Sequence, residues 1–387
     1  MNRLLCGASS LLIACFGLLA STPSHADIRV GVVLSLTGAG ASIGIPEQNA
    51  VQLWPTEMAG HKLVVSIVND ASDPSTAARS VSRLVNEEKV DIIVGSSLTP
   101  TSLAMVPVAA QARTAMISLA TGAAIVEPLD ELRRWAFRLG PSEKFSTDLV
   151  TDDVKRRKGS TIGVIALSSA YGDGFVKAME GSAAAKGVKI VGVERYNVTD
   201  QSVTAQVAKL MLLNPDAIYI ASAGTPGALP QIELSNRGYA GRVYQTGGVA
   251  NSDFLRVAGK SAEGMYITAL PLLVAEQLKE SDPLRTSAEA FTRLYEGKHG
   301  AGTRSAFAAS AYDTYRLLEN AAKIALRRAQ PGTEAFRVAM RDGMEQTRDL
   351  TTTTLHFAFS ENNHSGMDQR SQILVVVKGG KWVRAEE

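Results

Sequence analysis

The amino-acid sequence predicts an α/β protein with two doubly wound, mostly parallel lobes, each a three-layer αβα arrangement. Short runs of β-branched and other apolar residues alternate with longer amphipathic segments, which is the order of strands and helices in such sheets. The alternation occurs in two similar series along the chain. The runs IRVGVVL and DIIVG are almost continuously apolar, as expected of strands that helices cover on both faces.

The first series contains four predicted strands and three predicted helices. The strands lie over 28–34, 63–68, 91–94 and 115–118. The helices lie over 46–58, 74–88 and 99–112. The second helix has the clearest pattern, because Ala78, Val81, Leu84 and Val85 recur at intervals of three and four residues. The order βαβαβαβ predicts a parallel sheet.

The second series starts after Pro141 and predicts a second doubly wound sheet. Its strands lie over 161–167, 188–193, 216–221 and 242–245, and its helices over 174–186, 204–213 and 226–236. Beyond it the sequence predicts a strand at 263–269, a helix-rich stretch over 283–343, a strand at 355–359 and a hairpin over 373–383. The hairpin turn is Lys378-Gly379-Gly380-Lys381, where glycines suit a positive φ.

Length, composition and charge narrow the class of protein. The chain has 387 residues, of which 45% are hydrophobic and 20% are charged, so a globular protein of two or three domains is expected. The 40 Lys and Arg residues nearly balance the 38 Asp and Glu residues. This balance provides no basic surface for nucleic acid or anionic lipid, and it leaves binding of a small molecule open.

The N-terminus has the layout of a secretory signal peptide over residues 1–26. An apolar stretch is followed by Ser24-His25-Ala26, which places small residues one and three positions before a cut after Ala26. Both cysteines lie within the first fifteen positions, so the exported chain would contain no thiol, disulfide or cysteine zinc site. A lipobox ending at Cys15 is a second interpretation, in which Cys15 carries a lipid anchor. In both cases the folded part is expected to be soluble and exported.

Enzyme sites find little support in the sequence. The histidines of the exported chain have no metal-ligand spacing; they are His61, His299, His356 and His364. No serine lies in a nucleophile-elbow pattern. The loop over 38–44, with Asp70 at the end of the second strand, has the context of a dinucleotide phosphate loop, although its spacing is loose. We expect no cofactor, metal or catalytic residue, with an exported oxidoreductase as an alternative.

The ends of the predicted strands are more informative, because ligands of open α/β sheets bind at the carboxyl ends of the strands. The residues that we select from these loops are Ser97 and Thr99; Ala120, Thr121 and Gly122; Tyr171; Gly224 and Thr225; and Gly247. Thr99 is predicted to cap a helix that has Pro100 at its first position. The free backbone N–H groups and the hydroxyl at such a corner suit a carboxylate. Loops from both halves predict a cleft between them.

Seven segments, taken in order, resemble one protein family. They are IRVGVVLSLTG, VNDASDP, DIIVGSS, MISLATG, SSAYGDGF, NPDAIYIASAGTP and SAEGMYITALP. They are similar to the leucine/isoleucine/valine-binding family of periplasmic solute-binding proteins, which serve ABC importers. The resemblance implies a type I periplasmic binding protein fold with three hinge crossovers, whose lobes comprise 27–140 plus 271–357 and 141–270 plus 358–387. It also implies a periplasmic monomer, not an enzyme, that delivers a solute to an ABC permease in the inner membrane.

The resemblance also assigns binding residues. Thr99 matches the hydroxyl and N–H contact to the solute carboxylate, and Tyr171 matches the tyrosine that closes over the solute from the second lobe. Ala120 and Gly122 fall where the family holds the α-amino and carboxylate groups. Gly122 replaces the usual hydroxyl residue, and Thr121 could compensate for it.

The predicted solute class depends on Gly247. Amino-acid binders of the family commonly carry a glutamate there for the solute ammonium, so glycine argues against a zwitterion and leaves space. Ile43 and Phe307 fall where such binders often carry a tyrosine, which makes the wall more apolar. An aromatic or other hydrophobic carboxylic acid is therefore expected. A branched-chain amino acid is the alternative solute if another acid, such as Asp173, supplies the charge. A periplasmic sensor domain is a further alternative for the function.

Overall fold

Two mostly parallel β-sheets with helices on both faces form the protein, as a computed structural model that describes residues 26–353 and 355–386 shows. The predicted α/β class with two lobes is thereby confirmed. The predicted signal peptide, apart from Ala26, lies outside the described residues. Within the described part of the chain, no helix combines the length and the apolar character needed to cross a bilayer.

The first sheet is built from the N-terminal part of the chain. Its strands are β1 (Ile28–Leu34), β2 (Glu57–Met58), β3 (His61–Asn69), β4 (Ile92–Gly95), β5 (Met116–Ser118) and β6 (Ala136–Arg138). Its helices are α1 (Ala41–Val51), α2 (Pro74–Asn86) and α3 (Thr99–Gln111). The strand order is β2-β3-β1-β4-β5-β6, and β2 alone is antiparallel to its neighbour in this sheet. Val32 and Val33 of β1 point to opposite faces, and both are fully buried.

The middle of the chain supplies most of the second sheet. Its strands are β7 (Thr161–Leu167), β8 (Lys189–Tyr196), β9 (Ala217–Ala221), β10 (Arg242–Gln245) and β11 (Tyr266–Ala269). Its helices are α4 (Glu143–Arg156), α5 (Ala170–Lys186), α6 (Thr204–Leu212), α7 (Ala228–Asn236) and α8 (Ser252–Ala258). Ile165 packs on α6, whereas Val164 packs with residues of α4 and α5, so helices cover both faces of this sheet too.

The C-terminal part of the chain contributes to both sheets. It contains α9 (Arg285–His299), α10 (Ala306–Ala325), α11 (Glu334–Glu345), β12 (Leu350–Thr351), β13 (His356–Phe357), β14 (Ile373–Lys378) and β15 (Lys381–Arg384). Helix α10 packs on α1, and Trp54 after α1 donates to the Ala311 carbonyl at 3.1 Å. Strands β14 and β15 form the predicted hairpin and add antiparallel to β11, which gives the order β15-β14-β11-β10-β9-β7-β8.

The predicted bounds of the first helix are wrong. The helix starts at Ala41, because the Gly40 carbonyl accepts hydrogen bonds from the N–H groups of Ile43 and Gly44, both at 2.9 Å, and forms the first turn ahead of Pro46. Pro46 therefore lies inside the helix and not at its start. The end of the predicted segment forms strand β2 instead. The sequence patterns also missed α4, α8 and the short strand β6.

The segment after β13 packs on the first lobe. The ring of Phe359 meets Phe137 of β6 edge to face at 5.5 Å, and the His364 ring stacks on Phe137 at 4.1 Å. The backbone N–H of Arg138 also donates to the His364 carbonyl at 3.0 Å. Residues 358–387 are predicted to belong to the second lobe, whereas these contacts place the start of that segment with the first. The division into lobes is otherwise still a prediction.

Replacing Phe137 by alanine tests this packing. Phe137 is fully buried and contacts two rings, so the variant should lose about 3–5 kcal/mol of unfolding free energy. Urea denaturation measures the loss. Leu212→Ala is the control, because the Leu212 side chain is 86% exposed and its removal should change stability by less than about 0.5 kcal/mol. Equal effects of the two substitutions would contradict the packing described.

Candidate functional site

A cavity of about 470 Å³ lies between the lobes, at the carboxyl ends of strands from both sheets. Loops that follow β4 and β5 form one wall, and loops that follow β7 and β10 form the other. Because parallel strands end at the same edge of a sheet, side chains far apart in sequence meet there. The volume is that of a small-molecule site.

Most of the predicted binding residues line this cavity. They are Ile43, Ser97, Thr99, Ala120, Thr121, Tyr171, Gly247 and Phe307. Gly122, Gly224 and Thr225 lie outside its lining. Gly224 instead faces the first lobe, where a Cβ atom would be 3.1 Å from both the Ala39 carbonyl and the Ser42 hydroxyl. The Gly224 loop is thus a contact between lobes at the rim.

The N-terminus of α3 points into the cavity, with Leu98, Thr99 and Pro100 in the lining. The N-cap is Leu98, one residue before the predicted cap, because its backbone is extended (φ −118°, ψ 150°) while Thr99 is already helical. The Thr99 hydroxyl therefore caps nothing. It is buried and makes no hydrogen bond within the protein. A buried hydroxyl without a partner at a helix N-terminus is suited to an anionic ligand.

The N-terminus of α5 faces the same cavity from the second lobe. Ser169 is its N-cap and accepts from the Gly172 N–H at 3.4 Å. The Tyr171 hydroxyl donates to Thr246 Oγ1 at 2.8 Å, and its ring centroid lies 4.8 Å from that of Phe175. Burial raises the pKa of Tyr171, so the phenol stays neutral. Tyr171 is thus a fixed aromatic wall beside the helix N-terminus.

Two glycines of the predicted site have steric reasons to be glycine. A Cβ atom at Gly122 would lie 2.3 Å from Thr99 Cγ2, so the hydroxyl residue that the family usually carries does not fit. A Cβ atom at Gly247 would lie 2.5 Å from the Thr268 carbonyl oxygen. The expectation that Gly247 leaves room was therefore wrong, because the backbone of β11 already occupies that space.

None of the described residues that line the cavity is charged. Asp173, the alternative acid for a solute ammonium, pairs with Arg195 at 2.9 Å on the surface, and its side chain is 67% exposed. Arg138 and Glu143 form a buried ion pair, at 3.3 Å. It lies behind the wall, where Arg138 donates to the Thr121 carbonyl and Glu143 accepts from the Ala123 N–H at 2.7 Å. The solute would meet hydroxyls, backbone groups and apolar side chains.

Glu47 is a buried acid behind Ser97 that the sequence analysis missed. The residue is 1% exposed, and its Oε2 atom lies 2.5 Å from Ser97 Oγ, while Oε1 has no hydrogen-bond partner. Burial raises the pKa of Glu47, the Ser97 hydrogen bond lowers it and the charge of Asp70 adds to the rise, so that the pKa lies at about 8. The side chain is therefore neutral at pH 7. An acid one turn after Ile43 was the available sequence signal.

The cavity also contains apolar residues that the sequence analysis did not select. They include Leu119, Leu139, Phe175 and Leu270. Phe175 lies one helical turn after Tyr171, so helical spacing could have identified it. Leu139 and Leu270 belong to the connections between the sheets, where no motif marks a binding residue. These side chains make the lining mainly apolar.

The acid on which the dinucleotide alternative depends, Asp70, is already hydrogen-bonded within the protein. Asp70 is fully buried and accepts hydrogen bonds from the Ser35 hydroxyl at 2.8 Å, from the Ser72 N–H at 2.8 Å and from the Ser96 hydroxyl. These partners occupy the carboxylate oxygens that would otherwise accept hydrogen bonds from a ribose hydroxyl. Asp70 therefore holds the loops of the first sheet together.

Comparisons with known proteins agree in family and fold. A family model described as periplasmic binding protein matches residues 27–381. An extracellular ligand-binding receptor from Rhodopseudomonas palustris is 37% identical, with a TM-score of 0.89 over 93% of this chain and 99% of that one. A Leu/Ile/Val-binding protein from Rhizobium johnstonii is 22% identical over 83% of this chain and 85% of its own length. A solute binding protein from R. palustris in complex with benzoate is 19% identical, with a TM-score of 0.76 over 93% of this chain and 95% of that one.

Adding one methyl group to Gly247 tests the close approach of β11. Gly247→Ala should lower the unfolding free energy by about 1–3 kcal/mol, because the Thr268 carbonyl must shift. Gly181→Ala in α5 is the matched control. Its added Cβ would meet no atom within 4 Å apart from its own residue, its chain neighbours and the nearby backbone of its helix, so the variant should be more stable by about 0.5–1 kcal/mol through helix propensity. The same sign for both variants would contradict the proposed contact.

Replacing Glu47 by glutamine tests its protonation. The folded protein holds a proton on Glu47 that the unfolded chain releases above about pH 4.5, so this group lowers stability as the pH rises toward 8. Glu47→Gln does not lose stability in this way. Its free energy of unfolding, relative to that of the wild type, should rise by at most about 1.4 kcal/mol per pH unit between about pH 5 and pH 8. Urea denaturation over a pH series measures the difference. The exposed Glu180→Gln should follow the wild type, and a constant offset for Glu47→Gln would contradict a raised pKa.

Proposed function

The chain belongs to the periplasmic binding protein family, and we propose that it captures an aromatic or other hydrophobic monocarboxylate between its lobes. Like its relatives, it is a binding protein and not an enzyme. We further propose that the chain is exported by the segment ending at Ala26, and that it delivers the solute to an ABC permease. Hinge closure around the solute would create the surface that the permease recognises.

The absence of charge from the described lining of the cavity supports this solute class most directly. An amino acid brings an ammonium group, and burying it without a counter-ion costs several kcal/mol. No carboxylate lines the described cavity to pair with it, because Asp173 is on the surface and Glu47 is neutral behind Ser97. A monocarboxylate avoids this cost.

The two helix N-termini support an anion. Helices α3 and α5 both begin at the cavity, and each contributes a partial positive charge and free N–H donors. The unpartnered Thr99 hydroxyl adds a donor beside the first of them. A carboxylate bound there needs no Arg or Lys. The same donors fit a free carboxylate and the carboxylate of an amino acid equally, so the second end of the solute decides between them.

The rest of the solute would meet an apolar and aromatic wall. Tyr171, Phe175 and Phe307 line the cavity together with Ile43 and Leu270. Rings offset against rings gain attraction beyond the area that they bury. The relatives include a Leu/Ile/Val-binding protein and a benzoate-bound protein of this fold, so the fold accommodates either solute. The uncharged wall favours an aromatic carboxylate over an amino acid.

A thermal-shift screen tests the solute class. Benzoate and larger aromatic monocarboxylates should raise the melting temperature, because a ligand that binds only the folded state at about 100 times its Kd adds about 2.7 kcal/mol. Benzamide, which has the same ring without the charge, is the control and should have a much smaller effect. Stabilisation by leucine, isoleucine or valine alone would replace the proposal with the amino-acid alternative.

Thr99→Val provides the matched variant for that screen. It keeps the shape of the side chain and removes the unpartnered hydroxyl, so carboxylate affinity should fall about tenfold while the unfolding free energy is nearly unchanged. Unchanged affinity would remove Thr99 from the carboxylate site.

A further inference from the structure

Glu47 is connected to the cavity through a single hydroxyl. Ser97 Oγ accepts a hydrogen bond from the Ser35 N–H at 3.0 Å and lies 2.5 Å from Glu47 Oε2. Ser97 itself lines the cavity. Glu47 lies one turn after Ile43, another lining residue, on the same face of α1. The buried acid therefore lies directly behind the wall that the carboxylate would contact.

The surroundings of Glu47 do not compensate a negative charge. Of the described charged groups, Asp70 at the end of β3 is the one that acts on it, and it repels. The Tyr295 hydroxyl of α9 donates to the Pro46 carbonyl at 3.5 Å and is also hydrogen-bonded with Asn49. Asp313 of α10 is bound by Thr352 and by the Thr353 N–H. A carboxylate with Oε1 unpartnered would be costly here, whereas a carboxylic acid fits.

The protonation state of Glu47 decides which hydrogen bonds the Ser97 hydroxyl can donate. A serine hydroxyl has one proton to donate and two lone pairs to accept with. If Glu47 is ionised, Ser97 must donate its proton to Glu47, so none is left for a solute. If Glu47 is protonated, it donates to Ser97, which already accepts from Ser35. The Ser97 proton is then free to point into the cavity.

We propose that Glu47 is a positioning residue that, while protonated, directs the Ser97 hydroxyl toward the solute carboxylate and so makes binding depend on pH. The proposal rests on the proposed function, since it requires a carboxylate solute. Ionisation of Glu47 removes one donor and adds a negative charge behind the site. Both effects weaken the binding of an anion. By linkage, a bound anion favours the protonated form of Glu47.

Isothermal titration calorimetry with benzoate at about pH 6 and about pH 9 tests the proposal. A benzoate-type acid is ionised throughout this range, and the described lining contains no histidine. The wild type should bind about tenfold or more weakly at the higher pH. Repeating the titration near pH 8 in buffers of different ionisation enthalpy should show uptake of up to one proton.

Glu47→Gln is the decisive variant, because its amide N–H₂ donates to Ser97 at every pH. It should keep the low-pH affinity, lose the decline at high pH and take up no proton. Ser97→Ala should bind more weakly at low pH and also lose the pH dependence, which covers the case that Glu47→Gln does not fold. Glu180→Gln, exposed on α5, should behave as the wild type.

These titrations test the role of Glu47 separately from the proposed binding of a carboxylate. Equal affinity of the wild type at both pH values, or the wild-type pH profile in Glu47→Gln or Ser97→Ala, would overturn the role of Glu47 and leave the carboxylate solute standing. No binding of any monocarboxylate at either pH would overturn both.

Discussion

One buried ion pair connects the parts on which the binding cavity depends. Arg138 ends β6 in the first lobe and Glu143 begins α4 in the second, on the two sides of a crossover, and their side chains are 1% and 5% exposed. Arg138 also donates to the Thr121 carbonyl and to Ser365, while Glu143 accepts from Ala123. Removal of either partner would leave a buried charge uncompensated, which typically costs several kcal/mol. The same ion pair therefore contacts the cavity wall, the crossover after β6 and the segment that contains Ser365.

That arrangement explains how an uncharged cavity can exist at a junction that contains charged residues. Arg138 and Glu143 neutralise each other behind the wall, Asp173 pairs with Arg195 outside it, and Glu47 is neutral. The field that a solute meets then comes mainly from the N-termini of α3 and α5. In the proposed function, such a field would favour an anion without requiring a formal positive charge. Discrimination against a zwitterion would follow from the absence of a carboxylate among the described residues that line the cavity.

The local patterns predicted most of the fold and several of the residues that line the candidate site. Strands such as β1 were recognisable because buried parallel strands are continuously apolar, and Thr99 and Tyr171 because they follow strands at the edge where ligands bind. Helix α1 was misplaced because Pro46 is a start signal in sequence, whereas the hydrogen bonds at Gly40 form the first turn earlier. Short elements such as β6 carry too few residues for a periodic signal. Phe359 joined the first lobe through Phe137, a contact that no local pattern contains.

The sequence by itself determined the α/β class, the alternation of elements, the resemblance to a binding-protein family and the strand-end residues of the cleft. These depend on local periodicity, on turn chemistry and on motifs in a fixed order. Only the tertiary structure decided that the Thr268 carbonyl fills the space beside Gly247, that Thr99 closes the space beside Gly122, and that Glu47 lies buried behind Ser97. Each of these facts is a distance or a burial between residues far apart in the chain. Such quantities exist only after the chain has folded.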